Sequence, residues 1–181
     1  MDRLKIRPMH DEDKEYELID RWLSSVQVSE FYNTHPVGIE NIKKKYQARV
    51  QGTFGIKCMI IEYNTWPIGY LQFYKMDYED YEINKLRDNL KQYENIYAVD
   101  IFIGESGYVG KGIGTKVMKL ICKYIFNTRK CDLVIIDPNI YNKRAIRCYE
   151  KAGFKKVGII SKRDYYKGHP ADSVIMIKNS N

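Results

Sequence analysis

The chain has 181 residues, 44% of them hydrophobic, which suits one domain, 1–181, with a proper core. Its charge of +7 is split: residues 1–105 carry 14 Lys and Arg against 18 Asp and Glu, whereas 106–181 carry 16 against 5. No apolar run reaches the roughly eighteen residues of a membrane span, so no membrane partner is expected, and Met1-Asp2-Arg3 opens no apolar leader, so a cytoplasmic location is expected.

Leu4-Lys5-Ile6-Arg7-Pro8-Met9 alternates like a short strand stopped by its proline. Asp11 or Asp13 can cap a helix that carries Tyr16, Ile19, Trp22 and Leu23 to about Ser24. Residues from Val26 to Tyr32 read as irregular and aromatic. The next helix runs from Ile39 to Val50, with Ile42 and Tyr46 on one side and the Lys43-Lys44-Lys45 run as a solvated face. Ile56 to Tyr63 and Ile68 to Tyr74 read as two strands joined at Asn64-Thr65-Trp66-Pro67. Met76 to Asn95 is a long polar connection in which Asp77, Glu79, Asp80 and Glu82 fall within six positions; it is a solvated loop or a binding loop for a polycation.

A strand from Tyr97 to Ile103 then leads through Gly110-Lys111-Gly112-Ile113-Gly114-Thr115 into a helix ending near Asn127. Ile113, Val117, Leu120, Ile121, Tyr124 and Ile125 recur at spacings of three and four, the mark of one helix face. Glycines at the first turn let the backbone come close to a ligand, and free N–H groups at the positive end of the helix dipole make an anion site. The same turn also serves as a plain strand-to-helix passage. It is neither a Walker loop nor a dinucleotide fingerprint, because no Lys-Ser/Thr pair closes it and Val117 stands where a third small residue belongs. A nucleotide cofactor of another class fits.

Leu133-Val134-Ile135-Ile136 is a run typical of a strand buried on both faces, ended by Asp137-Pro138. Asn142 can cap a helix with Ala145, Ile146, Tyr149 and Ala152 on one face and Gly153 at its end. Lys155 to Ile160 and Ser173 to Ile177 read as closing strands, giving an α/β (α+β) fold with a mixed sheet flanked by helices. Cys58, Cys122, Cys131 and Cys148 lie far apart with only His10, His35 and His169 to help them, so idle thiols rather than metal ligands are expected. The basic second part lacks an aromatic-interleaved basic motif, so no nucleic-acid partner is expected.

Asn142-Lys143-Arg144-Ala145-Ile146-Arg147-Cys148-Tyr149-Glu150-Lys151-Ala152-Gly153-Phe154 resembles the GNAT superfamily of acetyl-CoA-dependent N-acetyltransferases, matching its Asn-x-x-Ala-x-x-x-Tyr-x-x-x-Gly-Phe pattern at every position. The preceding Gly-x-Gly at a helix start is similar to that family's pyrophosphate loop, except that Val109 stands where Gln or Arg is common. Within the superfamily the chain looks most like the aminoglycoside 6′-N-acetyltransferases, through Glu30-Phe31-Tyr32, Pro67-Ile68-Gly69-Tyr70 with Gln72 and Tyr74, Val99-Asp100, Asp137-Pro138 and the motifs above. The resemblance implies a single GNAT-like domain with a mixed, mostly antiparallel central sheet. It implies acetyl transfer by direct attack in a ternary complex from acetyl-CoA to an amine, the 6′-amine of an aminoglycoside, conferring resistance, with no metal.

Such a reaction needs a neutral amine, a polarised carbonyl and a protonated leaving thiolate. Asp100 lies in an apolar strand, where a carboxylate is costly unless partnered; it either pairs structurally or, as the resemblance implies, binds the acceptor ammonium and takes its proton. Asp137 is a second acceptor-side anion or a turn residue before Pro138. Tyr149 would be a core tyrosine on its spacing alone; the resemblance places it at the coenzyme sulfur. Backbone N–H groups around Phe102 and Ile103 are expected to hold the pantetheine arm. Val109, Gly110, Lys111, Gly112, Ile113, Gly114 and Thr115 would cradle the pyrophosphate, and Asn142 would bond near the pantetheine. Tyr74, Glu79, Asp80 and Asp172 complete the expected acceptor side. Rival readings are an acetyltransferase for a protein amine or a polyamine, and a non-catalytic acyl-CoA sensor. The number of copies in the functional assembly has no signature in the sequence.

Overall fold

The structure, a computed structural model, describes residues 4–32, 38–76, 90 and 92–180. A seven-stranded sheet runs in the order β1-β2-β3-β4-β5-β7-β6, where β1 is Leu4–Pro8, β2 Lys57–Tyr63, β3 Trp66–Lys75, β4 Ile96–Ile103, β5 Leu133–Ile136, β6 Lys155–Tyr166 and β7 His169–Asn179. β4 and β5 pair in parallel, Ile96 opposite Leu133, while β1/β2, β2/β3, β5/β7 and β6/β7 pair antiparallel. That is the mixed, mostly antiparallel sheet expected. Helices are α1 (Asp13–Leu23), α2 (Val26–Ser29), α3 (Ile39–Val50), α4 (Ile113–Arg129) and α5 (Lys143–Lys151), with a 3₁₀ turn at Ser106–Tyr108. By contact density the chain divides into two compact units, Met1–Tyr74 with Asp100–Gly114, and Lys75–Val99 with Thr115–Asn181.

In the first unit, α1 turns Tyr16, Ile19, Trp22 and Leu23 onto a core shared with Ile42 and Tyr46 of α3, Ile60 of β2, Tyr70 of β3 and Phe102 of β4. Each fully buried isoleucine here, such as Ile19 or Ile42, stabilises the fold by roughly 1.5–3 kcal/mol. β2 and β3 are joined by Asn64 and Thr65 alone, at φ 50° and 69°, because a two-residue hairpin of this twist needs positive φ at both places. Trp66 and Pro67 therefore belong to β3 rather than to the expected longer turn. At Gly69 an added Cβ would stand 2.4 Å from the carbonyl oxygen of Phe102, so only glycine lets β3 approach β4 this closely.

Several local expectations change. The cap of α1 is Glu12, without a side-chain cap bond, since Asp11 instead accepts hydrogen bonds from the hydroxyl of Tyr16 and the amides of Gln47 and Gln51. Val26–Ser29 forms one helical turn where irregular chain was expected. The lysine run is not uniformly solvated: Lys44 is exposed, but Lys43 pairs with Asp13 at 2.9 Å and Lys45 is half-buried.

In the second unit, α4 buries Val117, Met118, Ile121, Cys122 and Ile125, while Leu120 and Tyr124 stay 45% and 44% exposed. The apolar stripe is therefore displaced from the expected one: its centre follows the Val117/Met118, Ile121/Cys122 pairs. α5 keeps the expected boundaries, with Ile146 and Tyr149 buried and Gly153 at φ 96° just past its end. β6 and β7 extend well beyond the expected strands and meet at Lys167 and Gly168, φ 50° and 81°. The four cysteines are free thiols, three of them buried. Among the described residues no helix is long and apolar enough to cross a membrane, and no group of three or more His, Cys, Asp or Glu could hold a metal.

Candidate active site

A cavity of about 150 Å³ opens in the first unit. Asp100, Ile101 and Phe102 of β4 line it, with Tyr70 and Gln72 of β3, Tyr46 and Arg49 of α3, and Tyr32 just after α2. Alternation puts Tyr70 and Gln72 on one face of β3, as it puts Asp100 and Phe102 on one face of β4. Three aromatic rings pack there: Phe102 lies edge-on to Tyr32 at 5.4 Å and tilted against Tyr70 at 5.6 Å. Tyr32 also donates its hydroxyl to the carbonyl oxygen of Ile101 at 3.0 Å, which fixes the segment preceding the cavity onto β4.

The polar side is a chain of hydrogen bonds. Gln72 Nε2 donates to Asp100 Oδ2 at 2.7 Å, while Gln72 Oε1 accepts from Arg49 Nη1 at 3.1 Å and from the Tyr70 hydroxyl at 2.9 Å. With its oxygen doubly held, the amide cannot flip, so it must present N–H to the carboxylate. Tyr70 also contacts Cys58 Sγ at 3.1 Å. Burial pushes the Asp100 carboxyl above its ordinary value, against the hydrogen bond from Gln72 and the charges of Arg49 and Lys45, which pull it down. Burial likewise lowers the Lys45 ammonium and raises the Tyr46 and Tyr70 phenols and the Cys58 thiol. At neutral pH the phenols and the thiol therefore remain protonated, and Asp100 is the lining carboxyl whose hold on its proton burial strengthens.

The glycine turn follows β4 in chain order. Gly110 and Gly112 sit at φ 79° and 76°, and a Cβ built on either meets nothing within 4 Å. Among the described residues the N–H groups of Gly110 to Gly114 make no backbone hydrogen bond. Lys111 is exposed, with its Nζ 6.0 Å from the Tyr108 ring centre, and Val109 is half-buried. A row of unspent N–H donors at the start of a seventeen-residue helix is the donor set that a pyrophosphate needs, so these residues fit that group. The valine in place of Gln or Arg leaves the backbone donors unchanged.

The second unit holds the other expected residues. Asn142 caps α5, its Oδ1 accepting from the Ala145 N–H at 3.1 Å. Tyr149 is buried and packs its ring 6.1 Å from that of Phe154. Asp137 is engaged by Arg163, whose Nε donates to Oδ2 at 2.5 Å. Asp172 Oδ1 accepts from the Lys162 N–H at 3.0 Å, holding the irregular part of β6. In the first unit Tyr74 shares the strand face of Gln72 but is not among the cavity lining, and Glu79 and Asp80 lie outside the described residues.

Sequence reasoning passed over Arg49, Lys45 and the central role of Gln72. One signal was available: Lys45 and Arg49 flank Tyr46 on α3, so two cations border a helix face whose other members, Ile42 and Tyr46, are buried.

The family described as acetyltransferase (GNAT) domain matches residues 11–162. The aminoglycoside N(6′)-acetyltransferase type 1 of Klebsiella pneumoniae is 27% identical over 164 residues, which span 89% of this chain and 77% of that protein. The kanamycin resistance protein of Rhizobium radiobacter is 36% identical over 69 residues, 38% of this chain and 64% of its own length. Among solved structures, aminoglycoside acetyltransferase AAC(6′)-Ib in complex with coenzyme A and kanamycin superposes with a TM-score of 0.77 at 24% identity, over 98% of this chain and 95% of that one. A spermidine N-acetyltransferase from Vibrio cholerae, in complex with CoA and spermine, reaches the same 0.77 at 15% identity over 97% and 95% of the two chains. At these identities the two superpositions speak to fold alone.

Proposed function

Because the chain belongs to the GNAT acetyltransferase family, we propose that it transfers an acetyl group from acetyl-CoA to an aminoglycoside, at the 6′-amine, and so confers resistance. The substrate class rests on relatives named for that activity that align over most of the chain. The observation that carries the chemistry is Asp100: a carboxylate on β4, lining a cavity, held by one amide and raised by burial. A general base is most effective when its pKa is drawn toward the working pH, which is the direction seen.

Asp100 Oδ2 is committed to Gln72, which leaves Oδ1 for the acceptor. It receives a proton from the acceptor ammonium, directly or through water, and the freed nitrogen lone pair can then form the new N–C bond. Arg49 and Lys45 assist, because their charges disfavour an ammonium in the cavity and favour the neutral amine that attack requires. When bound, acetyl-CoA supplies an activated acyl group and a thiolate leaving group. The N–H groups from Gly110 to Thr115 would hold its pyrophosphate, those around Phe102 and Ile103 its pantetheine arm and thioester carbonyl, and Asn142 would bond near that arm. Tyr149 would give its phenolic proton, or a hydrogen bond, to the departing sulfur. Asp137, Tyr74, Glu79, Asp80 and Asp172 remain the acceptor-side residues of this proposal.

A single acetyltransferase domain over 1–181 and a cytoplasmic location are parts of the same reading. The first is supported by the span of the family match and the second by four free cysteines, as a reducing compartment leaves them.

The test is release of free thiol from acetyl-CoA with kanamycin, spermidine and a lysine-containing peptide as separate acceptors. Release with kanamycin and not with the others is expected, with NMR locating the acetyl group on the 6′ nitrogen. Release only with spermidine or the peptide would keep acetyl transfer and discard the drug; silence with all three would favour a coenzyme sensor.

A further inference from the structure

α3 carries Lys45 and Arg49 four residues apart, hence on neighbouring positions of one helical side, and both approach the Tyr46 ring, at 5.8 and 5.5 Å. Like charges at this spacing destabilise a helix, and half-burying them adds to that cost. Asp100 offsets it, since its carboxylate acts on both cations. Arg49 is then fixed in place: its guanidinium lines the cavity and donates to Gln72, whose other end holds Asp100. Among the described residues, one carboxylate here faces two cations.

This is an unusual lining for a cavity that takes a polycation. The reacting amine has Asp100, but a second ammonium on the same ring that reaches Arg49 meets a guanidinium. A hydroxyl in the same place meets the same group favourably, because a guanidinium has five N–H donors and only one is given to Gln72 here. We propose that Arg49 is a specificity-determining residue that selects acceptors in which the sugar ring bearing the reacting amine carries a hydroxyl rather than a second ammonium. The proposal rests on the aminoglycoside reading and narrows it.

Kanamycin A and kanamycin B form a matched pair for the test, identical except that the sugar bearing the 6′-amine has a hydroxyl at its 2′ position in the first and an amine in the second. The ratio of kcat/KM for A over B should be on the order of tenfold, the effect of one like charge in a partly screened site. Arg49→Gln keeps a donor for Gln72 and removes the charge; it should bring the ratio close to one, because any help Arg49 gives to the reacting amine is common to A and B and cancels in the ratio. Arg49→Lys keeps the charge and should keep the preference. Unchanged coenzyme A affinity certifies the fold of each variant. If a variant does not fold, the ratio for the unaltered protein should itself narrow between about 0.1 and 1 M salt, where screening removes charge effects beyond direct contact.

Equal use of A and B, a preference for B, or a preference that survives both Arg49→Gln and high salt would each overturn the role of Arg49 while leaving the aminoglycoside reading intact. Turnover of neither drug would overturn that reading, and the proposal with it.

Discussion

Asp100 keeps a charge that its surroundings, taken together, resist. Burial outweighs Gln72, Arg49 and Lys45, so the folded pKa lies above the 3.8 of a free aspartate. A carboxyl with a raised folded pKa is bound to its proton more tightly in the native than in the unfolded chain. Stability therefore falls as pH rises from about 3.8 through the folded value, and the penalty is complete once the pH lies above that value. Asp100→Asn removes it. The expected outcome is a higher melting temperature at pH 7, by about 2–4 °C for each kcal/mol recovered, with the gain vanishing toward pH 3. The same substitution should lower kcat/KM for the acceptor by about 10²- to 10⁴-fold, the range for a positioned base, with coenzyme A affinity kept. A variant that melts lower at pH 7 would show that Asp100 is chiefly a structural partner of the cations, and undiminished turnover would remove it from the chemistry. Asp100 was legible in the sequence because a lone carboxylate in an apolar strand is conspicuous. Gln72 and Arg49 were not: they stand 28 and, from Gln72, 23 positions away, and only strand and helix packing brings them to one cavity. Asp137 was legible as an anion, yet nothing in the chain announced that Arg163 would engage it.

At the scale of elements, the turn into α4 combines strain with openness. Gly110 and Gly112 occupy positive φ, where a side chain costs roughly 1–2 kcal/mol, but no neighbour crowds either position. Stability and ligand approach can thus be separated. Gly112→Ala should lower stability by only about that amount, whereas KM for acetyl-CoA should rise about tenfold or more, because the methyl group intrudes where a pyrophosphate would meet the N–H row. Titration calorimetry with coenzyme A, set against a thermal melt, distinguishes the two; a loss of affinity no larger than the loss of stability predicts would place the pyrophosphate elsewhere. The turn was readable because glycine spacing is a local signal, as was α5, whose cap Asn142 and terminating Gly153 stand beside it in the chain. Long-range terms decided the rest. Leu120 and Tyr124 fit a helical face by spacing, but the stripe that packs is centred on Val117 and Ile121. The extra length of β6 and β7 comes from pairing with each other through Asp164, Tyr165 and Tyr166, a polar stretch that shows no strand periodicity of its own.

Over the whole molecule, the strand order could not be read from the chain, because β7 enters between β5 and β6 and sequence order carries no sign of that insertion. Charge, in contrast, needs no fold to be counted, and it supports a last prediction. Of the net +7, the part from residue 106 onward carries 16 Lys and Arg against 5 Asp and Glu. Coenzyme A is a polyanion, so this excess should raise its local concentration and speed its capture. Contacts of two kinds would share the work. Backbone N–H groups at the glycine turn act at hydrogen-bond distance, where salt screens little; lysines and arginines spread over the surface act at longer range, where it screens much. The Debye length shrinks from about 10 Å at 0.1 M to about 3 Å at 1 M, so KM for acetyl-CoA should rise severalfold over that interval in potassium chloride and stay flat when a neutral osmolyte replaces the salt. A KM that ignores salt would assign recognition to the backbone turn alone and leave the basic excess without a part in binding. A severalfold rise that persists in Gly112→Ala would show the two contributions to be independent, since the substitution removes close contacts and leaves the distant field as it was.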